Sequence, residues 1–211
     1  MSETRSGVLP AYSKPRIVFA HTADSRPVTA VKNVLIQTSL GQIQNAGFYE
    51  RYSKLIEPQV LEQLLSSVGP GWVPIELADS HYAACDRLNL SIAELKMLGS
   101  GVGDRLQKAT LVSAAKKDRQ TSVDVWAELG SLHRMWDRQY QGGSVQVMQV
   151  GPQEMLIELR GFVITRHTYF RNAMVPAMRA TFLALGVRLD SSKISKYVAE
   201  RDEATYQLHW T

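Results

Sequence analysis

Cysteine is all but absent from this chain. Cys85 stands alone, so no intrachain disulfide can form and no cysteine-based zinc spacing exists. Within HYAACDRL it reads as a small buried thiol. Long apolar runs are missing too, with nothing near the roughly 18 residues a membrane span requires. The amino-terminal MSETRSGVLPAYSKPR lacks the apolar centre of a secretory signal, which points to a cytoplasmic protein. No charge of one sign dominates: 24 Lys and Arg face 20 Asp and Glu, a net +4. The densest basic run, Lys116-Lys117-Asp118-Arg119, reads as a solvated loop or helix end, so no nucleic-acid partner is expected.

Catalytic signatures are equally sparse. Histidines 21, 81, 133, 167 and 209 show neither HxxxH nor HExxH spacing, and no serine sits in a G-x-S-x-G elbow. Gly99-Ser100-Gly101-Val102-Gly103 has a capped helix before it and no GK[ST] after it. It therefore reads as a flexible helix joint permitting close packing, not as a phosphate loop. Asp202-Glu203 reads as a hairpin turn. No enzyme is expected from this inventory.

What is present suits one well-buried core: 211 residues, 45% of them apolar. Residues 1–15 read as a flexible tail and 16–211 as a single α+β domain, with a helical part over about 26–141 and a sheet part over about 144–210. RIVFAHT at 16–22 reads as a strand. Helices follow, broken near Gly41, Gly47 and Pro58, and a Gly-Pro-Gly turn at 69–71 closes them. Pro74 suits a first helical turn, after which Leu77, His81, Ala84 and Leu88 share a face. Ser91 and Glu94 form a capping box before the stripe of Leu95, Leu98 and Val102. A helix from about 122 to Gly142-Gly143 precedes two alternating segments, 144–148 and 155–159, joined at Gly151-Pro152. A helix over about 168–185 comes next, with Pro176 as a kink, and strands near 187–198 and 204–210 end the chain. The pattern is an N-terminal helical part packed on a small antiparallel sheet with an inserted helix.

One stripe carries the functional question. Trp126, Leu129, His133, Trp136 and Tyr140 recur at the spacing that keeps one helical face inward. His133 therefore points to the core, either as a packed histidine or as the ligand of a buried metal or heme. In Tyr169-Phe170-Arg171, Phe170 suits a core anchor, while Arg171 suits an ion pair within the protein or a ligand carboxylate or phosphate. Methionines 148, 155, 174 and 178 fill a core or line an adaptable pocket.

Beyond these local signals, the chain over about 72–210 resembles the heme-nitric-oxide/oxygen binding (H-NOX) superfamily and its 4-vinyl-reductase-like relatives. Leu129-Gly130-Ser131-Leu132-His133 followed by a hairpin, a helix and a terminal hairpin repeats the H-NOX order, with His133 where the proximal heme ligand falls. The Y-x-S-x-R signature that grips heme propionates in that family is replaced by Ile157-Glu158-Leu159-Arg160-Gly161, which matches only the arginine. A myxobacterial family of unknown function is the closer likeness, through Trp72 and Pro74, Leu88 to Gly99, Trp136 to Tyr140, Gly142-Gly143, Gly151-Pro152 and Tyr169 to Arg171.

The resemblance implies an H-NOX-like fold and a non-catalytic sensory or small-ligand-binding domain, its pocket lying between the helical part and the sheet. The expected ligand-binding set is Trp126, Leu129, His133, Trp136, Arg160, Tyr169 and Arg171, around a small apolar or heme-like ligand. His133 serves as a metal ligand only if heme is bound. Two alternatives stay open: a heme-based gas sensor with His133 as axial ligand, and an interaction module that forms a homodimer or docks a signalling protein through exposed Trp, Tyr and Met.

Overall fold

Among the described residues, segments with period-two alternation form strands and segments with helical spacing form helices, and the result is α+β. The computed structural model describes residues 16–21, 26–67, 69–114, 126, 136–184 and 187–211. In chain order the elements are β1 (Arg16–His21), β2 (Ala30–Lys32), α1 (Asn33–Asn45), α2 (Tyr49–Ser53), α3 (Pro58–Ser66), β3 (Trp72–Pro74), α4 (Ile75–Asp86) and α5 (Ile92–Ala114). After them come β4 (Tyr140–Gln141), β5 (Ser144–Gly151), β6 (Glu154–Arg160), α6 (Thr168–Ala184), β7 (Leu189–Val198) and β8 (Glu203–Trp210).

The main sheet is antiparallel, with strand order β1-β5-β6-β8-β7. Its inner face follows from alternation: Val145 and Val147 of β5, Met155, Ile157 and Leu159 of β6, and Ala204, Tyr206 and Leu208 of β8 are all buried. Glu154, Glu158 and Arg160 occupy the intervening positions of β6 and face outward. The helix α6 turns Val175, Met178 and Phe182 into the core. α5 packs closely along it. A Cβ built on Gly99 would lie 2.4 Å from the Cα of Ala173, so only glycine permits this approach.

Three expectations change on contact with the structure. The helical part over 26–141 also holds a second sheet, β3-β2-β4, in which Val31 pairs with both Val73 and Tyr140. Strands of two or three residues are too short to show alternation, so only tertiary pairing reveals them. Pro74 ends β3 and precedes the helix that starts at Ile75, instead of sitting inside its first turn. The expected joint at Gly99 to Gly103 is not a break, since α5 runs on through it. The helix expected over about 168–185 runs from Thr168 to Ala184 with Pro176 inside it.

Other local readings hold. The Ser91 amide donates to Glu94 Oε2 at 2.8 Å and the Glu94 amide to Ser91 Oγ at 3.3 Å, the two arms of the capping box. Cys85 is buried. Of the helix expected from about 122, Trp126, Trp136 and Asp137 are helical; Leu129 and His133 lie outside the described residues. Among the described residues no helix is long and apolar enough to cross a membrane.

Candidate functional site

Where α6 meets the sheet, the side chains do not close completely. A cavity of about 60 Å³ lies between α6, the inner face of β5 and β6, and the segment that leads into β4. Its walls include Leu35, Val102, Val145, Ile157, Met174 and Met178. A second space of about 40 Å³ shares Leu35, Val102, Tyr140, Met174 and Ala177 with the first and extends to Ser39 and Tyr169. Together they form two adjoining lobes. Among the described residues, no charged side chain lines either lobe.

The first lobe is bounded by aromatic rings in mutual contact. Trp136 stands 5.4 Å from Tyr140 and 6.0 Å from Phe162, and Tyr140 lies edge-on to Phe162 at 5.0 Å. Burial pushes the Tyr140 phenol above its ordinary value, so it stays protonated. Trp136 and Gln139 belong to one turn, in which the Gln139 amide donates to the Trp136 carbonyl at 2.8 Å. Both side chains line the cavity, and Trp136 Nε1 and Gln139 Oε1 are buried with no hydrogen-bond partner among the described residues.

The second lobe abuts a buried polar chain. Tyr169 Oη lies 2.7 Å from Ser39 Oγ, Ser39 Oγ lies 2.9 Å from His81 Nε2, and Tyr52 Oη lies 2.7 Å from His81 Nδ1. A neutral imidazole offers one donor and one acceptor, which completes this chain across α2, α4, α1 and α6. Burial, with the nearby His167 charge as a lesser cause, lowers His81 to about 3, so the ring is neutral.

Beside it, His167 Nε2 contacts Asp79 Oδ1 at 2.7 Å, and His167 Nδ1 lies 3.5 Å from Asp86 Oδ2. Asp86 also accepts the backbone amides of Thr168 and Tyr169, capping α6 from outside. Burial works to raise the Asp86 carboxyl, but the hydrogen bonds from His167, Tyr169 and Thr168 outweigh it and hold the group below its ordinary value. No group of three or more metal-ligating side chains occurs among the described residues.

The structure brings together only part of the set expected from sequence. Trp136 lines the first lobe and Tyr169 the second. Trp126 packs on Trp210 at 5.3 Å, and neither lobe includes it. Arg160 points to the outer face of the sheet, paired with Glu158 at 2.9 Å and Glu203 at 3.7 Å. Arg171 donates to the carbonyls of Thr165 and Arg166 and stacks on Tyr197 at 4.2 Å. Of the four methionines, Met174 and Met178 line the cavity. Gln139 was not anticipated, although its place three residues after Trp136 puts it on a neighbouring helical position.

The described residues offer a heme no partner for its propionates. Ile157 and Leu159 are the residues of the substituted signature that turn inward, both aliphatic, while the matched arginine faces away between two glutamates. Among the described residues no cation reaches the cavity to pair with a propionate, and the space is well below the roughly 150 Å³ that admits a single benzene ring.

No family model matches this sequence, and no curated protein matches it either. Solved structures do. The chain superposes on the Fe(II) unliganded H-NOX protein from K. algicida with a TM-score of 0.59 at 10% identity, covering 85% of this chain and 96% of that one. The fold is H-NOX-like. A point mutant of the same K. algicida protein gives 0.55 at 9% identity over 85% and 96% of the two chains. A double variant of Tt H-NOX gives 0.51 at 6% identity, covering 85% of this chain and 94% of that chain.

Proposed function

We propose that this chain is a non-catalytic sensory domain that holds a small uncharged ligand in the cavity between α6 and the sheet. The observation that carries the reading is the cavity itself: an apolar space lined by α1, α5, β4, β5, β6 and α6, left open beside the hydrophobic core of an H-NOX-like fold. Ligand occupancy there touches α6 and the inner strands at once, so it biases how the helical layer seats on the sheet. Ser39, the hydroxyl of the second lobe that meets the His81 ring, is also held by Tyr169 at 2.7 Å, and among the described residues no charged side chain lines either lobe, which supports binding over catalysis.

The heme gas sensor with His133 as axial ligand is the second reading, supported by the likeness to an Fe(II) H-NOX structure. The outward Arg160 and the uncharged cavity weigh against it.

Xenon and hemin separate the two. Xenon-saturated buffer should shift the methyl NMR signals of Met174, Met178 and Ile157, and added hemin should give no Soret band above that of a non-binding control. Unshifted methyls would dispose of the cavity reading. A Soret band lost in His133→Gly would establish the heme reading in its place.

A further inference from the structure

We propose that His167 is a proton-operated latch between α4 and α6. Charged, it bridges Asp79 and Asp86 and holds the first turn of α6; neutral, it releases that turn and with it the wall of the second lobe. The proposal rests on the reading of the cavity as a ligand site and adds its regulation by pH.

α4 carries Asp79 and Asp86 seven residues apart, two helical turns, so both carboxylates stand on one face. The chain entering α6 lays His167 against that face with its side chain 9% exposed, Nε2 at 2.7 Å from Asp79 Oδ1 and Nδ1 at 3.5 Å from Asp86 Oδ2. A neutral imidazole has one N–H, so it serves one carboxylate and turns a lone pair toward the other. Only the imidazolium donates on both sides. The surrounding charges agree. Arg166, in the turn before α6, pairs with Asp79 and places its Nε 3.5 Å from His167 Nε2, so two carboxylates face one guanidinium and the cluster is neutral only with a charged imidazole. Tyr82, its ring 6.3 Å from that of His167, is kept protonated by burial, and His81 beside it is neutral, so neither adds a charge to the cluster.

Histidine is the side chain whose ordinary chemistry lets its charge change between about pH 5 and pH 8. When the proton leaves, the shorter contact, to Asp79, retains the N–H, and the Nδ1 lone pair faces Asp86 Oδ2. That same oxygen accepts the Thr168 amide at 2.9 Å, and Asp86 Oδ1 accepts the Tyr169 amide at 2.7 Å. Repulsion at Nδ1 therefore acts on the cap of α6. Tyr169 and Phe170 of that first turn line the second lobe, as does Tyr82, and Tyr169 Oη is tied to Ser39 Oγ at 2.7 Å. The charged latch thus holds the lobe preformed, and a ligand there binds more tightly on the acid side of the His167 titration.

The test uses the intact chain labelled with nitrogen-15 and followed by NMR from about pH 5 to pH 8. The ring nitrogens of His167, assigned by their loss in His167→Gln, should report two N–H groups at the acid end and one at the basic end. Across that titration the exchange protection of the Thr168 and Tyr169 amides, corrected for the intrinsic pH dependence of exchange, should fall about ten-fold, the loss of one hydrogen bond. The xenon concentration that half-shifts the Met174 methyl should rise about five-fold in step. In His167→Gln, which has no proton to lose, protection and xenon affinity should both be independent of pH.

A ring with one N–H throughout, amide protection that does not follow the ring, or the same pH dependence in His167→Gln would overturn the latch. Should His167→Gln fail to fold, the coincidence of ring and amide titrations in the unmodified protein decides alone. Xenon keeps the two levels apart: xenon shifts that ignore pH remove the regulation and keep the cavity, whereas no xenon shift at any pH removes the cavity reading together with its regulation.

Discussion

Gly99 on α5 and Ala173 on α6 meet backbone to backbone: a Cβ at Gly99 would come within 2.4 Å of both the Cα and the carbonyl oxygen of Ala173. Two effects oppose each other in Gly99→Ala. Alanine gains about 1 kcal/mol of helix propensity, while forcing the helices apart costs about 1–3 kcal/mol with little room to relax, because the obstacle is backbone. A net loss of stability is expected. Gly101→Ala is the control, since its Cβ would meet the movable side chain of Gln42. Urea denaturation should show Gly99→Ala destabilised and Gly101→Ala neutral or more stable; equal behaviour would mean that α5 and α6 do not pack in this register.

Asp86 at the end of α4 carries the start of α6, accepting the Tyr169 amide at 2.7 Å and the Thr168 amide at 2.9 Å. Asp86→Ala leaves both amides unpaired and should cost about 1–2 kcal/mol. Asp86→Asn keeps an acceptor and should recover part of the loss. Hydrogen exchange at Thr168 and Tyr169 reports the mechanism directly: faster exchange confined to that first turn is expected in Asp86→Ala, and unaltered protection there would exclude Asp86 as the cap.

His81 gives the protein an acid sensitivity of defined sign. Burial foremost, and the His167 charge second, lower its folded value to about 3 from the ordinary 6.5. As pH falls below the ordinary value the unfolded chain takes up a proton that the folded chain refuses until about 3. The unfolded state then binds more protons, so His81 lowers stability progressively across that window and has no such effect above it. His81→Gln removes the titration while retaining hydrogen-bonding capacity. Its unfolding free energy should fall less steeply with acidification than that of the unmodified protein, by up to about 1.4 kcal/mol per pH unit. Asp86, depressed in the fold, also costs stability on acidification, but it is common to both proteins and cancels in the comparison. Parallel pH profiles would show that His81 is protonated inside the fold.

The fold was legible where the pattern was long enough to be physical. Val145 to Leu159 alternate over a full hairpin, and Phe170 to Phe182 keep a helical face over several turns, so both elements follow from periodicity. Val31 could not be read the same way, because its strand has three residues and owes its existence to pairing with Val73 and Tyr140. The site divided similarly. Trp136 and Met174 were visible as inward positions on helical stripes, but the direction of Arg160 depended on strand parity, and one residue of register turns it from the cavity to the outer face. His81 carried no sequence signal of its role, since its partners Ser39 and Tyr52, and Tyr169 which bonds to Ser39, come from three other helices.

Ala177 offers the sharpest check on the cavity, because it is buried and borders both lobes. Ala177→Leu projects three further carbons into space that is already open. In a closed interior the same change would strain the core by about 1–3 kcal/mol, whereas filling an existing void returns roughly 24 cal/mol per Å³ and offsets the strain. For about 60 Å³ of free space the return is on the order of 1 kcal/mol, so the variant should stay within about 1 kcal/mol of the parent. At the same time it should abolish the xenon shifts of Met174 and Met178 by occupying their space. A loss as large as that of Gly99→Ala, with xenon shifts retained, would mean that leucine cannot enter the lobes and that the space xenon reports lies elsewhere.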